Sequence, residues 1–196
     1  MKILDNINHT VREDLQDTMQ KGSRVSIAAA CFSIYAYQEL KKQLKEIAEL
    51  RFIFTSPTFV QENTPKERRE FYIPKLTREK SLYGTEFEVR LRNELTQKAL
   101  AKECADWVRR KVKFRSNVSG EQMPGFMTVG ESSYMPISGF TTVDLGCERG
   151  NNAYYPVQRT EAFENGRYFL SLFDEIWNDS SRLQDVTDIV LQSIST

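Results

Sequence analysis

The sequence predicts an α/β fold in which helices alternate with strands. Amphipathic helix patterns alternate with short apolar strand patterns over the first 55 residues, and the alternation resumes after residue 93. That order of elements is typical of βαβ units, whose strands pair in parallel. A length of 196 residues with 40% hydrophobic side chains is typical of one ordinary domain or two small ones.

The first 55 residues are predicted to form helix, strand, helix and strand in that order. Ile7, Val11, Leu15 and Met19 recur every four residues, which indicates a first helix that ends near Gly22. The next elements are a strand that opens the apolar stretch 24–36, a helix over 37–50 and a short strand over 51–55. We therefore expect the two strands to form a parallel pair.

The middle of the chain contains a long irregular stretch. Residues 56–85 hold three prolines among many charged residues, which predicts a basic excursion off the core. The spacing of Phe87, Val89 and Leu91 fits a strand, and together with Leu95 it fits a helix equally well, so both remain open. A helix over 93–108 follows.

The remainder of the chain is predicted to alternate strands and helices. Val112 and Phe114 alternate with Lys111, Lys113 and Arg115, as in a strand with one exposed face. The later elements are strands at 126–129, 134–137 and 154–158, an amphipathic helix over 163–177 and a further helix that begins at 185.

A net charge of zero hides an uneven distribution of charge. The chain has 27 basic and 27 acidic residues, but residues 66–115 hold 15 basic against 8 acidic residues, and residues 116–196 hold 4 against 11. Two interpretations are open. Either the basic middle faces a polyanion such as nucleic acid, or the two unequal parts complement each other within one fold.

Composition and motifs argue against several classes of protein. No apolar run approaches the roughly 20 residues of a membrane span, and the N-terminus lacks the apolar core of a signal peptide, so we expect a cytoplasmic protein with no membrane partner. Three widely spaced cysteines favour neither a disulfide framework nor a thiolate zinc site. With a single histidine, His9, and no P-loop or Gly-x-Ser-x-Gly motif, nucleotide hydrolysis and serine hydrolase chemistry lack support. Asp174 and Glu175 fit the solvated face of their helix.

Basic residues in the middle of the chain form a candidate surface for nucleic acid. Lys and Arg side chains contact phosphates, and neighbouring aromatic rings can stack on bases. Alternating Lys and Arg also keep one face of a sheet wet and protect an edge, so a structural role stays open. The candidates for phosphate contact are Arg109, Arg110, Lys111, Lys113 and Arg115, with Arg68, Arg69, Lys75, Arg78 and Lys80 in the irregular stretch, and those for stacking are Phe71, Tyr72 and Phe114.

The order of these segments resembles a phospholipase D-like domain over nearly the whole chain. The opening helix, strand, helix and strand carry the resemblance, together with MPGFMTV at 123–129, ISGFTTVDLG at 137–146 and FDEIW at 173–177. In that superfamily a strand with the motif His-x-Lys-x4-Asp leads to a Gly-Ser-x-Asn stretch, a strand and a closing helix. The resemblance implies a phospholipase D-like mixed β-sheet flanked by helices.

The catalytic residues of that superfamily are missing from the corresponding positions. The family forms a phosphoenzyme on one His, uses a second His as general acid, and holds the phosphate with Lys and Asn. Pro124 stands at the His position, Phe126 at the Lys position and Glu131 at the Asp position, while in the pair Ser138 and Gly139 the glycine replaces the Asn. The resemblance therefore implies a domain without catalytic residues.

The start of the chain, MKILDNINHTVREDLQ, and the helix near its end are similar to the N-terminal region of bacterial Swi/Snf-like superfamily 2 helicases. The resemblance implies a domain over 1–185 and a helix or linker over 186–196 that leads to a C-terminal motor. It implies that ATP and Mg²⁺ serve that motor and that this segment has no cofactor. The partners it implies are nucleic acid, with DNA favoured, the motor of the same chain and a second copy in a homodimer.

Three functions therefore stay open. The first is a non-catalytic accessory domain of a DNA- or RNA-dependent ATPase that binds nucleic acid and serves dimerisation or motor docking. The second is an active phosphodiesterase or nuclease with an unrecognised site. The third is a protein-interaction module without a nucleic-acid role.

Overall fold

A computed structural model gives the architecture of residues 1–56 and 94–195, the part of the chain that the structure describes. In this part an eight-stranded mixed sheet carries five α-helices, which confirms the predicted α/β class. The predicted excursion over 56–85 lies outside the described residues except for Ser56, as does the ambiguous segment around Val89. None of the helices in the described ranges is both long and apolar enough to cross a membrane.

The described elements occur in the following order along the chain. They are β1 (Lys2–Leu4), α1 (Val11–Thr18), β2 (Arg24–Ala29), α2 (Ile34–Leu44), β3 (Glu49–Phe54), α3 (Glu94–Lys111), β4 (Val112–Asn117), β5 (Phe126–Val129), β6 (Ser132–Met135), β7 (Val157–Thr160), a 3₁₀ turn (Ala162–Glu164), α4 (Gly166–Trp177), β8 (Leu183–Asp185) and α5 (Thr187–Ser195).

The sheet has a parallel centre and antiparallel flanks. Its strand order is β1-β7-β6-β5-β2-β3-β4-β8. β2, β3 and β4 run parallel, which confirms the βαβ prediction, and every other neighbouring pair is antiparallel. The amino ends of the three parallel strands therefore share one edge of the fold, and their carboxyl ends share the opposite edge.

The two faces of the sheet carry cores of different size. α1, α2, α3 and α5 cover one face, where buried side chains such as Val25, Phe52 and Phe114 form the larger cluster. In the described ranges α4 alone covers the other face, where Phe173 packs in a smaller cluster with Ala28. Because successive side chains of a strand point to opposite faces, each strand contributes to both layers.

The start of the chain differs from the prediction. β1 precedes the first helix, and Ile7, predicted to lie on the apolar stripe of that helix, is 46% exposed before the helix begins. The Asp5 carboxylate accepts hydrogen bonds from the amides of residues 7–9 at 2.8–2.9 Å, which fixes a turn. Thr10 then caps α1, because its hydroxyl accepts a hydrogen bond from the Glu13 amide at 3.1 Å.

The second helix also has other bounds than predicted. It covers Ile34–Leu44 and not 37–50, because Ser33 acts as its N-cap and accepts a hydrogen bond from the Tyr35 amide at 3.0 Å. Tyr37, Leu40 and Leu44 are buried as expected, whereas Ile47 is buried beyond the end of the helix. The sequence pattern thus identified the buried side chains but not the cap.

The second half of the chain confirms most predicted elements with shifted bounds. β5 matches the strand expected at 126–129, and the next two strands lie within three residues of their predictions. α4 begins at Gly166, since Asn165 adopts a left-handed conformation with φ of 85°, so Phe163 precedes the helix and is 87% exposed. The short edge strand β8 was not predicted.

The last helix belongs to the same hydrophobic core as the rest. A helix was expected to begin at 185, and α5 begins at Thr187 after β8. Val186, Val190 and Ile194 are buried in the larger cluster. The described residues after 185 therefore pack on the domain.

A buried carboxylate joins α1 to the antiparallel side of the sheet. Asp14, 4% exposed, accepts hydrogen bonds from the Tyr134 hydroxyl at 2.7 Å and from the Arg159 guanidinium at 2.8 Å. The Lys2 ammonium adds a third bond at 3.0 Å. Burial alone raises the pKa of Asp14, but the three hydrogen bonds outweigh it and lower the pKa below its usual value.

Replacing Asp14 by Asn should lower the free energy of unfolding by about 3 kcal/mol at neutral pH, because Arg159 loses its buried partner. Since the folded-state pKa of Asp14 is lowered, its contribution is present above the unfolded-state pKa and is lost as pH falls through the folded-state pKa. Urea unfolding over a range of pH should therefore show the difference between Asp14→Asn and the unsubstituted protein shrinking in acid. A difference that stays constant below pH of about 4 would contradict this account.

Candidate functional site

The positions that correspond to the phospholipase D motifs divide between the two edges of the sheet. Phe126 pairs with Ala28 near the carboxyl end of β2, and the Ala30 amide donates to the Ser138 carbonyl at 2.8 Å. Pro124, Ser138 and Gly139 therefore lie near that end. Glu131 lies at the opposite edge, in the turn between β5 and β6, and forms an ion pair of 2.9 Å with Arg167. The Asp position is thus far from the others.

The residue at the Lys position is part of the smaller core. Phe126 is fully buried, and its ring centroid lies 5.8 Å from that of Phe169 and 6.1 Å from that of Phe173. A lysine here would place an ammonium group among aromatic rings with no water to solvate it, which is costly. The described packing under α4 therefore provides no phosphate-binding cation at this position.

The residue at the Asn position has no space for a side chain. A Cβ atom on Gly139 would lie 2.6 Å from Sγ of Cys31 and 2.9 Å from Oδ2 of Asp144, both closer than real contacts allow. The glycine is thus required by the close approach of its loop to the end of β2. An asparagine at 139 would displace these neighbours.

The Asp144 carboxylate lies beside Gly139 and holds the loop after β6 together through hydrogen bonds. Its Oδ2 accepts hydrogen bonds from the amide and hydroxyl of Thr141 at 3.1 and 2.6 Å, and the Tyr155 hydroxyl donates to Oδ1. Burial raises the pKa of Asp144 above its usual value, in spite of these hydrogen bonds. The hydrogen bonds of this carboxylate therefore stabilise the loop.

The opposite edge of the sheet carries the basic residues. The turns before β2 and β3 are joined there by backbone hydrogen bonds of 2.8 Å, from Gly22 to Glu46 and from Ala48 to Ser23. The Lys111 ammonium donates to the Ile47 carbonyl at 2.7 Å and so joins the end of α3 to the turn before β3. We call this surface the basic end; its cations are Lys21, Arg24, Arg109, Arg110, Lys111 and Lys113, and its carboxylates include Glu46, Glu49, Asp106 and Glu131.

Four of the predicted phosphate-contact residues lie together at the basic end. Arg109 is exposed and forms an ion pair of 2.8 Å with Asp106, whose carbonyl accepts a bond from Arg110 at 3.3 Å. Lys111 is half-buried and bound to the backbone, and Lys113 is exposed at the start of β4. The side chains of Arg110 and Lys113 are therefore the most available of the four.

Two other predicted residues lie elsewhere. Arg115 is half-buried, with its guanidinium 4.1 Å from the centroid of the Trp177 ring, and it donates a hydrogen bond to the Trp177 carbonyl. Phe114 is fully buried in the larger core, so the prediction that it stacks on bases is wrong. The remaining predicted candidates lie outside the described residues: Arg68, Arg69, Phe71, Tyr72, Lys75, Arg78 and Lys80.

Sequence reasoning missed three cations that belong to this region. Lys21 and Arg24 lie in a segment with balanced charge, so counting by segment did not single them out. Arg51 belongs to the predicted strand over 51–55, outside the basic middle of the chain, yet it lies opposite Lys113 on the neighbouring strand. The alternation of side chains along β2, β3 and β4 would have predicted this grouping, since it places Arg24, Arg51 and Lys113 on one face of the sheet. Asp174, expected on a solvated face, forms an ion pair of 2.7 Å with Arg51.

The described residues hold no group of three or more His, Cys, Asp or Glu side chains that could bind a metal ion. Comparison of the sequence with models of known protein families gives no match, and comparison with curated proteins gives none.

The occupied motif positions lead to a prediction about catalysis. The purified protein should not hydrolyse a fluorescent oligonucleotide or a phosphodiester dye substrate, with or without divalent cations, because Pro124, Phe126 and Gly139 provide neither the histidine nucleophile nor the lysine and asparagine that would hold a phosphate. Release of product would be followed over time beside a buffer blank. Turnover that is abolished by a substitution within residues 122–140 would establish an active phosphodiesterase and contradict this prediction.

Proposed function

We propose that this chain is a catalytically degenerate phospholipase D-like domain that acts as a non-catalytic accessory domain of a DNA- or RNA-dependent ATPase and binds nucleic acid. The observation that carries the binding role is the basic end, where exposed cations outnumber carboxylates at one edge of the sheet. Such a surface attracts a polyanion and contacts its phosphates.

The mixed sheet supports the phospholipase D-like part of the proposal. Its parallel centre and its β5–β6 hairpin agree with the order of segments on which the resemblance rests. The crowding at Gly139 and the burial of Phe126 support a domain without catalysis. The ATPase motor, with its ATP and Mg²⁺, enters through the resemblance of the chain to helicase N-terminal regions, and so do docking to that motor and dimerisation.

The separation of the two edges supports binding that is independent of any former active site. The basic end lies at the amino ends of the parallel strands, whereas Gly139 and Asp144 lie at their carboxyl ends. Phosphate contacts at the basic end fix a nucleic acid without reading its bases. The resemblance to helicase N-terminal regions favours DNA as the ligand, and the buried Phe114 offers no stacking platform for its bases.

Binding to a labelled DNA duplex should weaken steeply as salt rises, since each phosphate contact releases counterions. Fluorescence anisotropy would give the affinity at several salt concentrations. The triple substitution Arg109→Gln, Arg110→Gln and Lys113→Gln should lower affinity by at least about tenfold at low salt and reduce the salt slope by about two to three.

A matched control uses three exposed cations away from the basic end. Lys98→Gln, Lys102→Gln and Arg149→Gln together remove the same charge and should reduce affinity far less. Equal losses in the two triple variants would show that net charge and not the basic end governs binding. A protein that shows no salt-dependent binding at all would instead favour the interaction module without a nucleic-acid role.

A further inference from the structure

Two cations face each other across the parallel strands β3 and β4. Arg51 and Lys113 are direct partners in the register, and both point to the α4 side of the sheet. Like charges directly opposite on neighbouring strands destabilise a sheet. This pair therefore costs stability unless an anion lies between or beside the two side chains.

Arg51 is held in place by contacts on several sides. Its guanidinium donates to the Ser26 hydroxyl at 3.0 Å, forms an ion pair of 2.7 Å with Asp174 and lies 4.9 Å from the centroid of the Phe173 ring. Only 19% of its side chain is exposed, whereas 48% of the Asp174 side chain is exposed. The cation is thus preorganised, and its counterion stands at the surface.

Among the described residues, Lys113 has no such counterion. It is exposed, and no carboxylate of the described ranges forms an ion pair with it. Arg115 follows two residues later on the same face of β4, where it contacts Trp177 and is not available to an anion. An anion that approaches the sheet beside α4 therefore meets the Lys113 ammonium and the edge of the Arg51 guanidinium together.

We infer that Arg51 and Lys113 form a subsite for a backbone phosphate of nucleic acid, and that Asp174 is the counterion that this phosphate displaces. The inference rests on the proposed function and extends the basic end onto the α4 face of the sheet. A phosphate offers several acceptor oxygens, so one group can receive hydrogen bonds from both cations and remove their repulsion. The exchange replaces one anion by another at Arg51, and no covalent bond changes.

This arrangement predicts a gain of affinity when a carboxylate is removed. Asp174→Asn should tighten binding of a labelled DNA duplex about threefold to tenfold at low salt, because the phosphate no longer competes with the carboxylate for Arg51. Glu175→Gln is the matched control: it removes the same charge from the next residue of α4, which is exposed. Its effect should stay below about twofold, since a solvated charge is screened.

A second variant tests the same subsite from the other side. Lys113→Gln should weaken binding about threefold to tenfold and lower the salt slope by about one. Combined with Asp174→Asn, it should remove most of the gain, because the phosphate then lacks its second cation. Asp174→Asn removes the ion pair with Arg51 and lowers stability. Circular dichroism of each variant therefore confirms that the compared proteins are folded.

The outcomes separate this inference from the proposed function. Equal affinities for Asp174→Asn and Glu175→Gln, with salt-dependent binding by the unsubstituted protein, would overturn the subsite and leave the binding role standing. The same holds if Lys113→Gln leaves the gain of Asp174→Asn intact. A protein that binds no duplex at any salt concentration would overturn both.

Discussion

The strict alternation of side chains along three parallel strands is the constraint on which the rest of the molecule depends. β2, β3 and β4 send Ile27, Phe52 and Phe114 to the larger core, where the rings of Phe52 and Phe114 lie 5.4 Å apart. The same pleat sends Arg51 and Lys113 to the other face. A shift of one residue in register would bury these cations and expose the aromatic rings, so the apolar core and the basic surface are fixed together.

The parallel register also divides the molecule into two edges with different properties. At the carboxyl ends of the strands, a loop closes over β2, and Gly139 packs so closely against Asp144 that the asparagine of the family motif would displace its neighbours. At the amino ends, short turns bring the last residues of α3 beside those that precede β2. The first edge explains why we propose no catalysis, and the second explains why we propose phosphate binding.

The sequence predicts those parts of the fold that depend on local periodicity. Leu40 and Leu44 on one helical stripe, and Val112 with Phe114 on one strand face, are buried as their spacing indicates. Caps and turns are harder to predict. The apolar spacing extends each helix pattern back to Ile7 and Phe163, but the turn fixed by Asp5 and the left-handed Asn165 delay the start of α1 and α4. The edge strands β1 and β8 have three residues each, which is too short to produce a periodic signal.

The candidate site depends on pairing between distant segments, and this is why the sequence revealed only part of it. Arg109, Arg110 and Lys113 are close in sequence and were recognised as a cluster. Arg51 joins Lys113 only through the strand register, and Asp174 reaches Arg51 from a helix more than a hundred residues later in the chain. Burial of Phe114 likewise follows from tertiary packing.

The central claim is that nucleic acid contacts the amino-end edge of the sheet and leaves the motif-like edge free. Amide hydrogen exchange of the protein, measured with and without a saturating DNA duplex, tests this claim directly. We predict slower exchange in the turn around Lys21 and at the junction of α3 and β4, with no change over residues 123–127 and 137–146. Protection found only in residues 123–127 and 137–146 would contradict binding at the basic end.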